Sequence, residues 1–141
     1  MIRRMIFRFS ALLVLAAVLV ACKGDTPTAP TANVPFSTTD LRVGTGAEAT
    51  TGRTATVNYA LWLYDPGATQ NKGRAIQANQ FAFTIGTGVI PGFSQGVVGM
   101  RVGGQRRIVV PPDLGYGAAG SAPDIPGNAT LLFEVELLNV Q

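Results

Sequence analysis

The residues Gly92-Phe93-Ser94-Gln95-Gly96 match the pattern G-x-S-x-G, in which a serine on a strained strand-to-helix turn serves as a nucleophile. Such a serine needs a histidine base held by an acidic partner, and the chain contains no histidine. That chemistry is excluded, and the abundance of glycine, 17 in 141 residues, accounts for the match. Cys22 is the only cysteine, so a disulfide, a cysteine metal cluster and a catalytic thiol within the folded part are excluded as well. Asp65, Asp113 and Asp124 sit beside proline in turns, without the spacing of metal ligands. Gly86-Thr87-Gly88 lacks the lysine and the long helix of a phosphate loop. Glu134 and Glu136 fall opposite an apolar strand face, which reads as a solvated edge and not as an acid/base pair. No metal and no cofactor is expected.

What remains is aromatic: Tyr59, Phe81, Phe93, Tyr116 and Phe133. Any one of them is by default a core residue. Tyr116 differs, because Leu114-Gly115-Tyr116-Gly117 is a loop context in which a phenol is available to bind.

The elements that must position these residues are mostly strands. Ala55, Val57, Tyr59, Leu61 and Leu63 alternate with Thr54, Thr56 and Asn58, and Leu131, Phe133, Val135 and Leu137 alternate with Glu134 and Glu136. Shorter alternations occur in Phe81, Phe83 and Ile85 and in Ile108 and Val110, with a weaker first strand at Asp40 to Val43. Turn chemistry separates them at Asp65-Pro66-Gly67, Gly103-Gly104 and Pro111-Pro112-Asp113. The period changes once, where Phe93, Gly96, Val97 and Met100 form one stripe of a short helix that Pro91 can begin. Because Gly96 and Gly99 each cost about 1 kcal/mol against alanine in a helix interior, packing must hold this helix. A short helix across an antiparallel sheet is an α+β arrangement.

Residues 1–21 combine Arg3, Arg4 and Arg8 with an apolar run from Phe9 to Ala21, the form of a secretory signal. Leu19-Val20-Ala21-Cys22 resembles the lipobox of bacterial lipoproteins. The resemblance implies cleavage before Cys22 and acylation of that cysteine, a multi-chain anchor in the membrane. Lys23 in place of aspartate implies the periplasmic face of the outer membrane. Residues 22–35, rich in small polar residues and proline, read as a tether, and residues 36–141 as the folded domain. The three leader arginines account for the whole excess of 11 Lys plus Arg over 8 Asp plus Glu. Nothing basic is left to argue for nucleic acid.

From about Val43 to Gln141 the chain resembles the FKBP-type peptidyl-prolyl cis-trans isomerases. The segments that carry the resemblance are Thr56-Val57-Asn58-Tyr59, Val89-Ile90-Pro91-Gly92-Phe93, Gly96-Val97-Val98-Gly99-Met100, Val102-Gly103-Gly104-Gln105-Arg106-Arg107, Pro111-Pro112-Asp113-Leu114-Gly115-Tyr116-Gly117 and Ile125-Pro126-Gly127-Asn128-Ala129-Thr130-Leu131. It implies a bent antiparallel sheet wrapped around one short helix, with an apolar proline pocket between them. Tyr59, Phe81 and Phe133 would form walls, Phe93 the floor, and Val89, Ile90 and Ile125 the sides. The Ile90 amide and the Tyr116 hydroxyl would hold peptide carbonyls, so Tyr59, Ile90, Tyr116 and Phe133 are the expected catalytic set. The implied partners are proline-containing polypeptides and macrolide ligands of the family.

Two departures from the family pattern bear on activity. The family places Phe-Asp-Ser-Ser before the Phe81 strand, with the aspartate on the pocket rim, whereas here the segment is Ile76-Gln77-Ala78-Asn79. Ile76 then stands for an aromatic wall and the acidic group is missing. Phe93 replaces the tryptophan of many members, a smaller floor, and Asp124 adds charge near the rim. The expected function is isomerisation of prolyl bonds in exported proteins; the alternative is a weakly active or inactive binding and chaperone module on the same fold.

Overall fold

The computed structural model describes residues 34–141; the expected signal segment, Cys22 and the tether through residue 33 lie outside the described residues. Among the described residues five strands, β1 (Ser37–Arg42), β2 (Thr54–Tyr64), β3 (Lys72–Thr84), β4 (Gln105–Val110) and β5 (Leu131–Val140), form one sheet, and a single α-helix, α1 (Pro91–Val97), lies between β3 and β4 in the chain. The sheet order is β1-β4-β5-β2-β3, with every neighbouring pair antiparallel. This is the α+β arrangement expected.

Period-two patterning explains which face is inward. Ala55, Val57 and Leu61 of β2, Ile108 and Val110 of β4, and Leu131, Phe133, Val135 and Leu137 of β5 are all buried and belong to one core that includes Phe93, Val97 and Met100. Burying such side chains stabilises the fold by roughly 1.5–3 kcal/mol each. β3 is much longer than the alternation of Phe81, Phe83 and Ile85 foretold, beginning at Lys72 and ending at Thr84. Its first part, Lys72 to Gln80, lies at the sheet edge and is largely exposed, so it carries no apolar period to read.

Helix α1 begins with Pro91, has no side-chain cap at its start, and buries Gly92, Phe93, Ser94, Gly96 and Val97. It survives its glycines because they allow close approach to β4. A Cβ on Gly96 would lie 2.6 and 2.8 Å from Cγ2 and Cγ1 of Ile108, and one on Gly92 would press on the Val110 methyls. The far end is held by Arg106, whose guanidinium donates to the carbonyls of Gly96 and Val98 at 3.0 Å each while its Nε donates to Asp40 at 2.6 Å. A cation on the last carbonyls of a helix complements its dipole. Gly99, at φ 82, then turns the chain out of the helix.

Glu134 and Glu136 point away from the core as expected, but β5 is the central strand, so they do not lie on an edge. Glu134 Oε1 accepts from Arg107 at 2.7 Å and pairs with Lys72 at 2.9 Å, and Glu136 pairs with Arg42 at 2.9 Å. The Lys72 ammonium also sits 4.5 Å over the Trp62 ring. Partial burial pushes the Glu134 carboxyl up, yet the hydrogen bonds and attraction of Arg107 and Lys72 outweigh it and leave the group below its ordinary value.

Two outcomes follow for stability. Gly96→Ala gains about 1 kcal/mol of helix propensity but forces a methyl into buried Ile108, and overpacking costs about 1–3 kcal/mol; urea unfolding should show net destabilisation, and a more stable variant would disprove the close approach. A carboxylate lowered on folding stabilises the native state above its unfolded pKa and loses that contribution as pH falls through the folded one. Glu134→Gln should therefore be the less stable protein at neutral pH, with the difference closing below pH of about 4; parallel stability curves would show that its ion pairs contribute nothing.

Candidate functional site

Four elements and two loops converge on one hollow. β2 supplies Tyr59 and Leu61, β3 supplies Gln77 and Phe81, β5 supplies Phe133, and the first turn of α1 supplies Phe93. Val89 and Ile90 come from the loop entering the helix, and Tyr116 from the loop after the one-turn 3-10 helix at Pro112–Leu114. Together they line a cavity of about 80 Å³.

Phe93 is the hub. Its ring centroid lies 5.1 Å from Phe133, 5.4 Å from Phe83, and 5.8 Å from both Tyr59 and Phe81. The contacts with Tyr59 and Phe133 are edge-to-face, at 73° and 67°, the arrangement that aromatic quadrupoles prefer. With Phe93 only 3% exposed, the ring is fixed from every side and presents an apolar floor.

The polar groups are few. The Ile90 carbonyl accepts from the amides of Phe93 at 3.1 Å and Ser94 at 3.3 Å, but the Ile90 amide has no acceptor among the described residues. The Tyr116 side chain is exposed, and its hydroxyl has no partner among the described residues either. Gln77 Nε2 donates to the Tyr59 hydroxyl at 2.5 Å. No charged side chain lines the cavity.

Tyr59, Phe81, Val89, Ile90, Phe93, Tyr116 and Phe133, picked out in the sequence, are thus brought together. Ile76 and Ile125 are not among the lining residues. Leu61 pairs with Gln77 and Trp62 with Ala75, which leaves Ile76 as the extra residue of a bulge, packed partly against the core. Ile125 is buried in the core beneath the loop, bridged to Ser121. Gln77 and Leu61 were missed. Gln77 stands four residues before Phe81 and so shares its face, a parity visible only once the strand is known to extend that far. Asp124 is not a free charge on the rim: its carboxylate lies 3.8 Å from Arg74, and its carbonyl accepts from the same guanidinium.

Ser94 has a structural task. Buried at 7% exposure, its Oγ accepts from the Gly86 amide at 2.7 Å. That bond ties helix α1 to the loop that carries Val89 and Ile90. A larger hollow of about 260 Å³ lies on the opposite face among Asn58, Gln105, Glu134 and Glu136. Its carboxylates are already paired, as described, and it shares only Tyr59 with the aromatic site.

An apolar aromatic cavity with two free hydrogen-bond donors, and neither nucleophile nor base, is built to hold a ring and the carbonyls beside it. Proline within a peptide offers such a ring and such carbonyls. The pattern of the FKBP-type peptidyl-prolyl cis-trans isomerases matches residues 46–138. An FK506-binding protein of Neisseria meningitidis is 42% identical over 102 residues, covering 72% of this chain and 92% of its own. The crystal structure of FkpA from Escherichia coli superposes with a TM-score of 0.65 at 34% identity, over 75% of this chain and 48% of FkpA, so the present chain spans about half of that protein. A peptidyl-prolyl cis-trans isomerase from Pseudomonas syringae pv. tomato gives the same TM-score at 29% identity, with 75% of each chain covered. The chain belongs to the FKBP-type peptidyl-prolyl cis-trans isomerases.

Removing the Ser94 hydroxyl leaves the Gly86 amide without its acceptor; Gly86 itself is exposed and water can take over, so the loss is that of one net hydrogen bond, about 0.5–1.5 kcal/mol. Ser94→Ala should unfold at lower urea concentration and bind substrate more weakly through the loosened Val89-Ile90 loop. A variant unchanged in both would show that the hydroxyl anchors nothing.

Proposed function

We propose that this protein catalyses cis-trans isomerisation of prolyl bonds in exported polypeptides while anchored to the bacterial envelope through lipid on Cys22. The observation that carries the catalytic part is the convergence of Tyr59, Phe81, Phe93 and Phe133 with the unpartnered Ile90 amide and Tyr116 hydroxyl on one uncharged cavity.

The mechanism needs no covalent step. A prolyl bond rotates over a barrier of about 18–20 kcal/mol because amide resonance must be broken, and without help the exchange takes tens of seconds or longer. The planar amide is the more charge-separated form, so a dry aromatic cavity stabilises the twisted form relative to it. Each 1.4 kcal/mol of that difference is worth about tenfold in rate. Phe93 and Phe133 would seat the proline ring, while the Ile90 amide and the Tyr116 hydroxyl would hold the neighbouring carbonyls and fix one side of the bond as the other turns. FK506-type macrolides would occupy the same cavity and compete with the peptide.

The location is supported by the basic, apolar leader ahead of Leu19-Val20-Ala21-Cys22 and by Lys23 after it. They favour the periplasmic face of the outer membrane. A weakly active binding module is the second reading, favoured by one observation: the rim group beside Tyr59 is the neutral amide of Gln77.

Isomerisation of a proline peptide and refolding of a proline-limited protein should both be accelerated by the purified chain. Tyr116→Phe should lower kcat/KM by about three- to tenfold, the worth of one net hydrogen bond, and Phe133→Leu should lower it further by reshaping the wall. No acceleration of either substrate by a folded protein would sink the enzyme reading, and acceleration of refolding alone would establish the binding module.

A further inference from the structure

The strand that walls the cavity is also an open edge. β3 is the last strand on its side of the sheet. The Ile85 amide, just past its end, donates to the Arg53 carbonyl on the β2 side at 2.9 Å. In an antiparallel ladder successive residues turn their main-chain groups to alternate sides. The pairing runs without interruption from Thr54↔Thr84 to Leu61↔Gln77, so Phe83, Phe81 and Asn79 bond to β2 while Thr84, Ala82, Gln80 and Ala78 turn their amides and carbonyls outward. All four are exposed.

Natural sheets blunt such edges with charge, proline or short length, because an open edge recruits other chains. The opposite edge, β1, is only 6 residues long and carries Asp40 and Arg42. β3 has 13 residues, and from Ala75 to Thr84 it bears neither a charge nor a proline. The unblunted part spans Ala78 to Ala82, about 13 Å of backbone. It borders the cavity, since Gln77, just before it, and Phe81, within it, both line that cavity.

We propose that this edge pairs with the extended main chain of the client polypeptide next to the proline in the cavity, adding it as a further strand beyond β3. The proposal rests on the isomerase reading of the cavity. Its occupant follows from continuity: Phe81 lines the cavity and stands in the edge strand between Gln80 and Ala82, so a chain whose proline is seated there can run on along the outward groups of Ala78, Gln80 and Ala82. Pairing of this kind reads backbone and ignores side chains, so the grip on residues flanking the proline is independent of their identity. It suits a protein that must accept many clients. The edge would also favour unfolded substrates, because only an extended segment offers free main-chain groups.

The experiment compares two peptides with the same residue pair at the prolyl bond, one of four residues and one of ten, and a third that repeats the longer one with alternate flanking amides N-methylated. The full chain should turn over the ten-residue peptide about tenfold faster in kcat/KM than the four-residue one, the equivalent of one or two net hydrogen bonds. N-methylation should abolish the gain. Ala78→Pro and Ala82→Pro each delete one outward amide at an edge position where proline is tolerated, and both should reduce the long-peptide value to the wild-type short-peptide value, with folding checked by thermal melting. Amide resonances of Ala78, Gln80 and Ala82 should shift when the long peptide is added, a readout independent of turnover. The proposal is overturned if the long peptide has no advantage, if N-methylation leaves the advantage intact, or if the edge proves to pair with a second copy, seen as self-association that Ala82→Pro abolishes. Absence of turnover on the four-residue peptide would instead remove the isomerase reading, and the amide shifts would still decide whether the edge binds chain.

Discussion

The distance between α1 and β4 governs the rest of the molecule. Gly92 and Gly96 bring helix backbone onto Val110 and Ile108, at a separation that no larger residue permits. This approach sets the height at which Phe93 enters the sheet and hence the depth of the cavity. A helix of 7 residues has little stability of its own. Packing against β4 and the Arg106 contacts to its last carbonyls supply what propensity does not. The glycines that imitate a hydrolase motif are therefore the reason an aromatic floor exists.

The two faces of the sheet divide the physics. Inward, the rings of Tyr59, Phe81, Phe83, Phe93 and Phe133 meet edge to face or tilted, apart from the stacked pair of Phe81 and Phe83, with no charge among the cavity's walls. Outward, Arg42, Lys72 and Arg107 pair with Glu134 and Glu136 across β5 and its neighbours. The separation leaves the lining of the cavity without a charge to hold water in place. The Gln77 amide on the Tyr59 hydroxyl fits the same rule: it fixes a polar group without introducing a charge.

How much of this was legible depended on burial pattern. β2 could be read closely, because Ala55, Val57 and Tyr59 alternate with Thr54, Thr56 and Asn58; in β4 the signal was shorter, Ile108 and Val110 flanking a Val109 that is buried as well. The first half of β3 could not, since an exposed edge strand has no inward period and Lys72 to Gln80 resembles a loop. That one gap explains why Gln77 went unseen and why Ile76 was expected in the wall: the regular pairing that gives Gln77 the face of Phe81, and the bulge that leaves Ile76 without a partner, exist only in the ladder with β2. The cavity's aromatic members were legible by resemblance of motif, and the role of Ser94 was not, because its partner is a backbone amide at Gly86 that no side-chain pattern marks.

The sheet order has a consequence for how this protein reaches its working form. β5, last of the five in the chain, is the strand that joins β4 to β2. Without it the ladders β1·β4 and β2·β3 are separate pieces, and Phe133 is missing from the cavity. Assembly is then close to all-or-none, with long-range pairings that close late and raise the contact order. A protein that hastens a slow step in the folding of others must first complete its own most distant pairing, and no partly folded form of it possesses the site.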